Sequence, residues 1–134
     1  MVKKHRLLII DDSKEVVAGL EAFFEQKYEV ITASNGREGL IAFEENETDI
    51  DLVISDLIMP IMSGVELLSI IRRKHPEIPL IAITGYKNNG VTSGVELYAD
   101  KILEKPFDIL ELEKSVEMLL STHSLSSSLD PSGR

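Results

Sequence analysis

Residues 6–24 read Arg6-Leu7-Leu8-Ile9-Ile10-Asp11-Asp12-Ser13-Lys14-Glu15-Val16-Val17-Ala18-Gly19-Leu20-Glu21-Ala22-Phe23-Phe24. Leu7 to Ile10 form an unbroken apolar run, as expected of a strand buried on both faces of a parallel sheet. Asp11 and Asp12 end the run and Ser13 offers an N-cap. Val16, Val17, Leu20, Phe23 and Phe24 then recur at helical spacing. A doubly buried strand passing through a polar turn into an amphipathic helix is the opening of a βα unit.

The same alternation runs along almost the whole chain. Tyr28 to Ala33 reads as a second strand, and Asn35 with Glu38 opens a helix whose apolar side is Leu40, Ile41 and Phe43. Leu52 to Ser55 is the third strand, followed by a second capping pair, Ser63 and Glu66, and the apolar residues Val65, Leu67, Leu68 and Ile71. Leu80 to Ile83 is the fourth strand, bounded by Pro76 and Pro79, and Ile102 with Leu103 makes a short fifth. Asp108 and Glu111 open a last helix with Leu112, Val116, Leu119 and Leu120 on one face. Strands alternating with helices predict an α/β fold, a parallel sheet covered on both sides by right-handed crossovers. Topology asks for five helices, and the fourth must lie between Asn88 and Leu97. Val91, Thr92, Gly90 and Gly94 form helix poorly, so that helix is expected to be short or loose. After Leu120 the chain turns Ser-rich and loses its period. Residues 1–120 are therefore expected to form one domain, and 121–134 a tail or linker.

Composition narrows the function. At 134 residues the chain has room for one domain with a real core. A formal net charge of -9 argues against a nucleic-acid surface. Without cysteine there is no disulfide and no thiolate metal site. The scattered His5, His75 and His123 form no ligand spacing, so any metal would be hard and oxygen-bound. Leu7 to Ile10 is too short for a signal peptide's apolar region, and no stretch approaches a membrane span. The expected location is the cytoplasm.

In an open α/β sheet, ligands bind at the carboxyl ends of the strands. The residues expected there are Asp11 and Asp12 after the first strand, Asp56 after the third, Thr84 after the fourth, and Glu104 with Lys105 after the fifth. Taken singly, each is an ordinary turn or surface residue. Together they are a chemical set. Three carboxylates on one rim repel one another unless a cation neutralises them. Magnesium takes oxygen ligands and leaves positions open for a phosphate oxygen. A lysine balances the charge of a transferred phosphoryl group and a threonine hydroxyl bonds one of its oxygens, which is most of what phosphoryl transfer requires.

Four blocks, Leu8-Ile9-Ile10-Asp11-Asp12-Ser13, Asp56-Leu57-Ile58-Met59-Pro60-Ile61-Met62-Ser63-Gly64, Ile83-Thr84-Gly85 and Lys105-Pro106-Phe107, resemble in order and spacing the signatures of response-regulator receiver domains. The resemblance covers residues 5–120. It implies a flavodoxin-like, doubly wound five-stranded sheet of order 2-1-3-4-5. It further implies that Asp56 accepts a phosphoryl group. Asp11, Asp12, Asp56 and the backbone carbonyl of Ile58 would hold magnesium, while Thr84 and Lys105 would hold the phosphoryl oxygens. Pro106 resembles the family's cis-proline. The donor would be a phosphohistidine on a sensor histidine kinase or phosphotransfer protein. The domain would catalyse its own phosphorylation and dephosphorylation without turning over a separate substrate. Its output would pass through the surface of the fourth helix, fifth strand and fifth helix, to a downstream protein or a second copy of the chain.

The chain departs from the family in places. Where many receivers carry an aromatic residue three positions before the lysine, Ile102 stands instead, which leaves the family's rotating-ring readout without its ring. Tyr98 replaces a small residue, and Ile58 and Tyr86 flank the acceptor with bulk. A haloacid-dehalogenase-like phosphatase would need Asp-x-Asp after the first strand, where Asp11-Asp12-Ser13 stands. A nucleotide-binding loop is absent, and Asp11-Asp12 would repel the phosphate of a flavin. A receiver-shaped interaction module that is never phosphorylated would typically have lost the acceptor or the lysine, and both are present.

Overall fold

Buried alternation builds the sheet. In the first strand, β1 (Arg6–Ile10), Leu7 and Ile9 face one side and Leu8 and Ile10 the other, all shielded from solvent. The computed structural model describes residues 4–85 and 94–128, the last six of these by backbone alone. The other strands are β2 (Glu29–Ala33), β3 (Leu52–Asp56), β4 (Leu80–Thr84) and β5 (Lys101–Glu104). All neighbours pair in parallel, in the order β2-β1-β3-β4-β5. The expected architecture and strand order are both present.

Helices α1 (Lys14–Phe24), α2 (Gly36–Glu45), α3 (Gly64–Lys74) and α4 (Ile109–Ser128) cover the two faces. On one face Leu7, Ile9, Leu52, Ile54, Ile81 and Ile83 meet Leu20 and Phe24 of α1 and Leu112 and Val116 of α4. On the other, Leu8, Ile10 and Val53 meet Phe43 of α2 and Leu67, Leu68 and Ile71 of α3. The helix starts are those the sequence signals. Ser13, Asn35 and Ser63 accept hydrogen bonds from the backbone N–H groups of Val16, Glu38 and Glu66, each satisfying one orphan donor of its helix.

Differences lie at two places. The expected fourth helix falls largely on residues 86–93, which lie outside the described residues. At its end, Gly94 turns at φ 89° into a single 3-10 turn, Val95–Leu97. The last helix, expected to end its period at Leu120, continues as backbone helix to Ser128. Residues 121–128 are thus helical where the sequence shows no helical period. Leu120 is the last of its described side chains that packs into the core, but adding a turn to an existing helix costs little, since each further residue brings its own hydrogen bond.

Candidate functional site

Parallel register sets the site. Ile10 pairs with Ser55, Asp56 with Ile83, and Thr84 with Glu104. Asp11, Asp56, Thr84 and Lys105 therefore arrive together at the carboxyl edge, as the sequence predicts. Asp11, Asp56 and Thr84 are buried, and Asp12 is exposed beside them.

Local hydrogen bonds aim these groups. The N–H of Ser13 donates to Asp11 Oδ1 at 2.9 Å, and the N–H of Leu57 donates to Asp56 Oδ1 at 2.9 Å. The other oxygen of each, Oδ2, faces Lys105, whose Nζ lies 3.2 Å from Asp11 and 3.4 Å from Asp56. The Lys105 N–H donates to the Thr84 carbonyl at 2.8 Å, which continues the β4–β5 ladder up to the site. The Lys105–Pro106 peptide is cis, as the resemblance implies.

Electrostatics follow from this geometry. Burial, then the neighbouring Asp11, push the Asp56 carboxyl above its ordinary range, while Lys105 and the Leu57 N–H pull the other way and lose. Burial draws the Lys105 ammonium down, but Asp56 and Asp11 outweigh it and its pKa is raised. The lysine is therefore fully charged at neutral pH, and still does not neutralise the cluster. Asp11, Asp12 and Asp56 each offer an oxygen, and these oxygens lie within 4.8 Å of one another. The donor set is all carboxylate oxygen, it carries excess negative charge, and one member faces solvent. That combination fits a small hard divalent cation such as magnesium.

Beside Asp56 and Lys105 opens a cavity of about 710 Å³ whose apolar walls are Val16, Ile58, Pro106 and Phe107. Val16 and Phe107 line this cavity, although by sequence the one belongs to the core face of a helix and the other to a motif that gives it no role. Their signals were present. Val16 lies one helical turn beyond Asp12, and Phe107 two residues beyond Lys105. Tyr86, expected to flank the acceptor, lies outside the described residues.

The family model of the response regulator receiver domain matches residues 7–117. The chain belongs to that family. This receiver domain is 37% identical over 116 residues to response regulator RR06 of Streptococcus pneumoniae, covering 85% of this chain and 52% of that protein. It is 33% identical over 115 residues to sensor kinase CckA of Brucella abortus, covering 85% of this chain but 12% of that one. The receiver thus spans about half the length of the regulators it matches and a small part of the kinase. Among solved structures, a CheY-like receiver domain protein from Methanospirillum hungatei superposes with a TM-score of 0.84 at 29% identity, over 92% of this chain and 99% of that one. Response regulator TrrA from Thermotoga maritima, in complex with Mg2+-BeF, superposes at 0.77 with 34% identity, over 86% and 98%. A receiver domain is a switch module of two-component signalling rather than a conventional enzyme. Among the described residues no helix is long and apolar enough to cross a membrane.

Proposed function

We propose that this receiver accepts one phosphoryl group on Asp56, in a magnesium-dependent reaction, from a phosphohistidine on a sensor kinase or phosphotransfer protein in the cytoplasm. The observation that carries the reading is the position of Asp56 Oδ2, 3.4 Å from Lys105 Nζ at the mouth of an open cavity. An oxygen of Asp56 forms the bond to phosphorus as the donor's P–N bond breaks, and imidazole leaves with a proton taken from water. Lys105 meets the charge of the transferred group and the Thr84 hydroxyl bonds one of its oxygens. Asp11, Asp12, Asp56 and the Ile58 carbonyl would hold magnesium, which supplies positive charge against the phosphoryl oxygens when bound. The superposed TrrA complex with Mg2+-BeF supports the assignment.

The apolar walls give the reading a kinetic side. Hydrolysis needs a water in line with phosphorus, and Val16, Ile58 and Phe107 carry no side-chain group to orient one. Self-dephosphorylation is accordingly slow. Output passes through the surface around β5 and α4 and the segment before them, where Leu97, Ile102 and Met118 are exposed. A downstream protein or a second copy of the chain reads that surface. Acetyl phosphate tests the central step. Intact-mass spectrometry is expected to show one added phosphoryl group on the wild type with magnesium, and none without it or on Asp56→Asn. Equal labelling of wild type and Asp56→Asn would refute the assignment.

A further inference from the structure

The loop that joins Asp56 to α3 contains a backbone conformation its own sequence does not favour. Ile61 has φ 75°, and the Met62 N–H donates to the Pro60 carbonyl at 2.9 Å. A hydrogen bond across one residue at positive φ defines the rarer, strained form of γ-turn. Ile61 is β-branched, the side-chain type least suited to that region. Its side chain is 74% exposed, so core packing neither selects it nor holds it there. Strain of this kind persists only where the flanks over-determine the backbone.

Both flanks are visible. On one side the Gly64 N–H donates to the Leu57 carbonyl at 2.8 Å, and a Cβ on Gly64 would overlap the Asp56 carbonyl oxygen. On the other, the first turn of α2 abuts the loop. A Cβ on Gly36 would overlap the Met62 carbonyl oxygen and come 2.8 Å from its carbon. Ile58 lies between these two fixed points, with the buried Met59 after it.

We infer that Gly36 is a positioning residue for the cation site: its bare Cα lets α2 seat the Met62 backbone, which holds the strained turn at Ile61 and so aims the Ile58 carbonyl. This rests on the reading of Asp11, Asp12, Asp56 and Ile58 as the magnesium ligands. It adds a residue of α2 that lies outside that ligand set. Gly39, one turn further along α2, supplies the control, because a Cβ there meets the side chains of Ile10 and Leu67 in the core and not the loop.

The test is a magnesium titration of the whole chain, followed by amide NMR shifts, with thermal melts in parallel. Gly36→Ala and Ile61→Pro perturb the turn, the first at its support on α2 and the second by forcing a negative φ at its centre. Each is expected to weaken magnesium binding by about tenfold in protein that is fully folded, the low end of what ligand-orienting groups cost. Ile61→Gly is expected to bind magnesium as wild type does and to melt no lower, since glycine adopts φ 75° freely. Gly39→Ala is expected to lower the melting temperature and bind magnesium as wild type does. If Gly36→Ala does not fold, Ile61→Pro against Gly39→Ala decides. Wild-type affinity in folded Gly36→Ala or Ile61→Pro, or an equal loss in Gly39→Ala, overturns the inference. Wild type without saturable magnesium binding, or Asp12→Ala with unchanged affinity, would instead overturn the reading of the ligands.

Discussion

Replacing Asp56 with asparagine is expected to stabilise the magnesium-free protein, although it removes half of an ion pair. Lys105 Nζ lies 3.4 Å from Asp56 Oδ2, worth about 5 kcal/mol at an effective dielectric near 20. The Asp11 carboxylate, within 4.8 Å, repels Asp56 by at least about 3.5 kcal/mol on the same scale. Lys105 is 31% exposed and is shared with Asp11 at 3.2 Å, so its attraction is the more screened of the two. The pair terms then nearly cancel, and what remains is the cost of burying a carboxylate, still several kcal/mol after relaxation. Asparagine removes that cost, keeps an oxygen for the Leu57 N–H, and leaves Lys105 paired with Asp11. A net gain of about 1–2 kcal/mol follows, or about 3–6 °C in melting temperature for a domain of this size.

The pH dependence has a definite sign. The Asp56 carboxyl titrates above its ordinary 3.8 in the folded protein. Between that value and its raised one, the folded state binds more protons than the unfolded, so wild-type stability falls as pH rises through the interval. Asp56→Asn lacks this contribution, and its advantage is expected to shrink in acid. Magnesium is expected to shrink it too, by binding the wild-type cluster more tightly. Thermal melts of both proteins at neutral and acidic pH, with chelator or magnesium, measure all of this. An Asp56→Asn protein no more stable than wild type in neutral chelator would show that the lysine, and not burial, governs the site.

Two further perturbations probe the frame and the lifetime. Gly64→Ala places a Cβ against the Asp56 carbonyl oxygen and 2.7 Å from Leu57 Cα; denaturant unfolding is expected to show a loss of about 2–3 kcal/mol, and a neutral result would mean that α3 need not sit so close. Ile58→Asn puts a hydrogen-bonding group on the cavity wall where a water must approach phosphorus, so decay of the phosphoprotein is expected to quicken. An unchanged lifetime would refute the shielding role of the apolar wall.

Much of this molecule is legible in its sequence, because several signals there are local. The doubly buried run Leu7 to Ile10 marks a central parallel strand, and Ser13, Asn35 and Ser63 mark helix starts through hydrogen bonds made within three residues. Asp11, Asp56, Thr84 and Lys105 could be brought together in advance since strand ends in a parallel sheet share an edge. Other features depend on contacts between distant segments. Val16 and Phe107 become cavity walls only when α1 meets the turn after β5. The contact of Gly36 with Met62 joins the start of one crossover to the start of the next, and nothing in an isoleucine signals the positive φ of Ile61. The backbone of α4 beyond Leu120 continues by helix propagation where the apolar period has already stopped, so no pattern announced it.

The central claim is that Asp56, and no other carboxylate of the cluster, carries the phosphoryl group. Reductive trapping with borohydride tests it most directly, because an aspartyl phosphate is converted to homoserine where it stands and peptide mass spectrometry reads the position. After treatment with acetyl phosphate and magnesium, homoserine is expected at residue 56 alone, and nowhere when magnesium is withheld. Homoserine at residue 11 or 12, or none anywhere in protein that binds magnesium, would contradict the account.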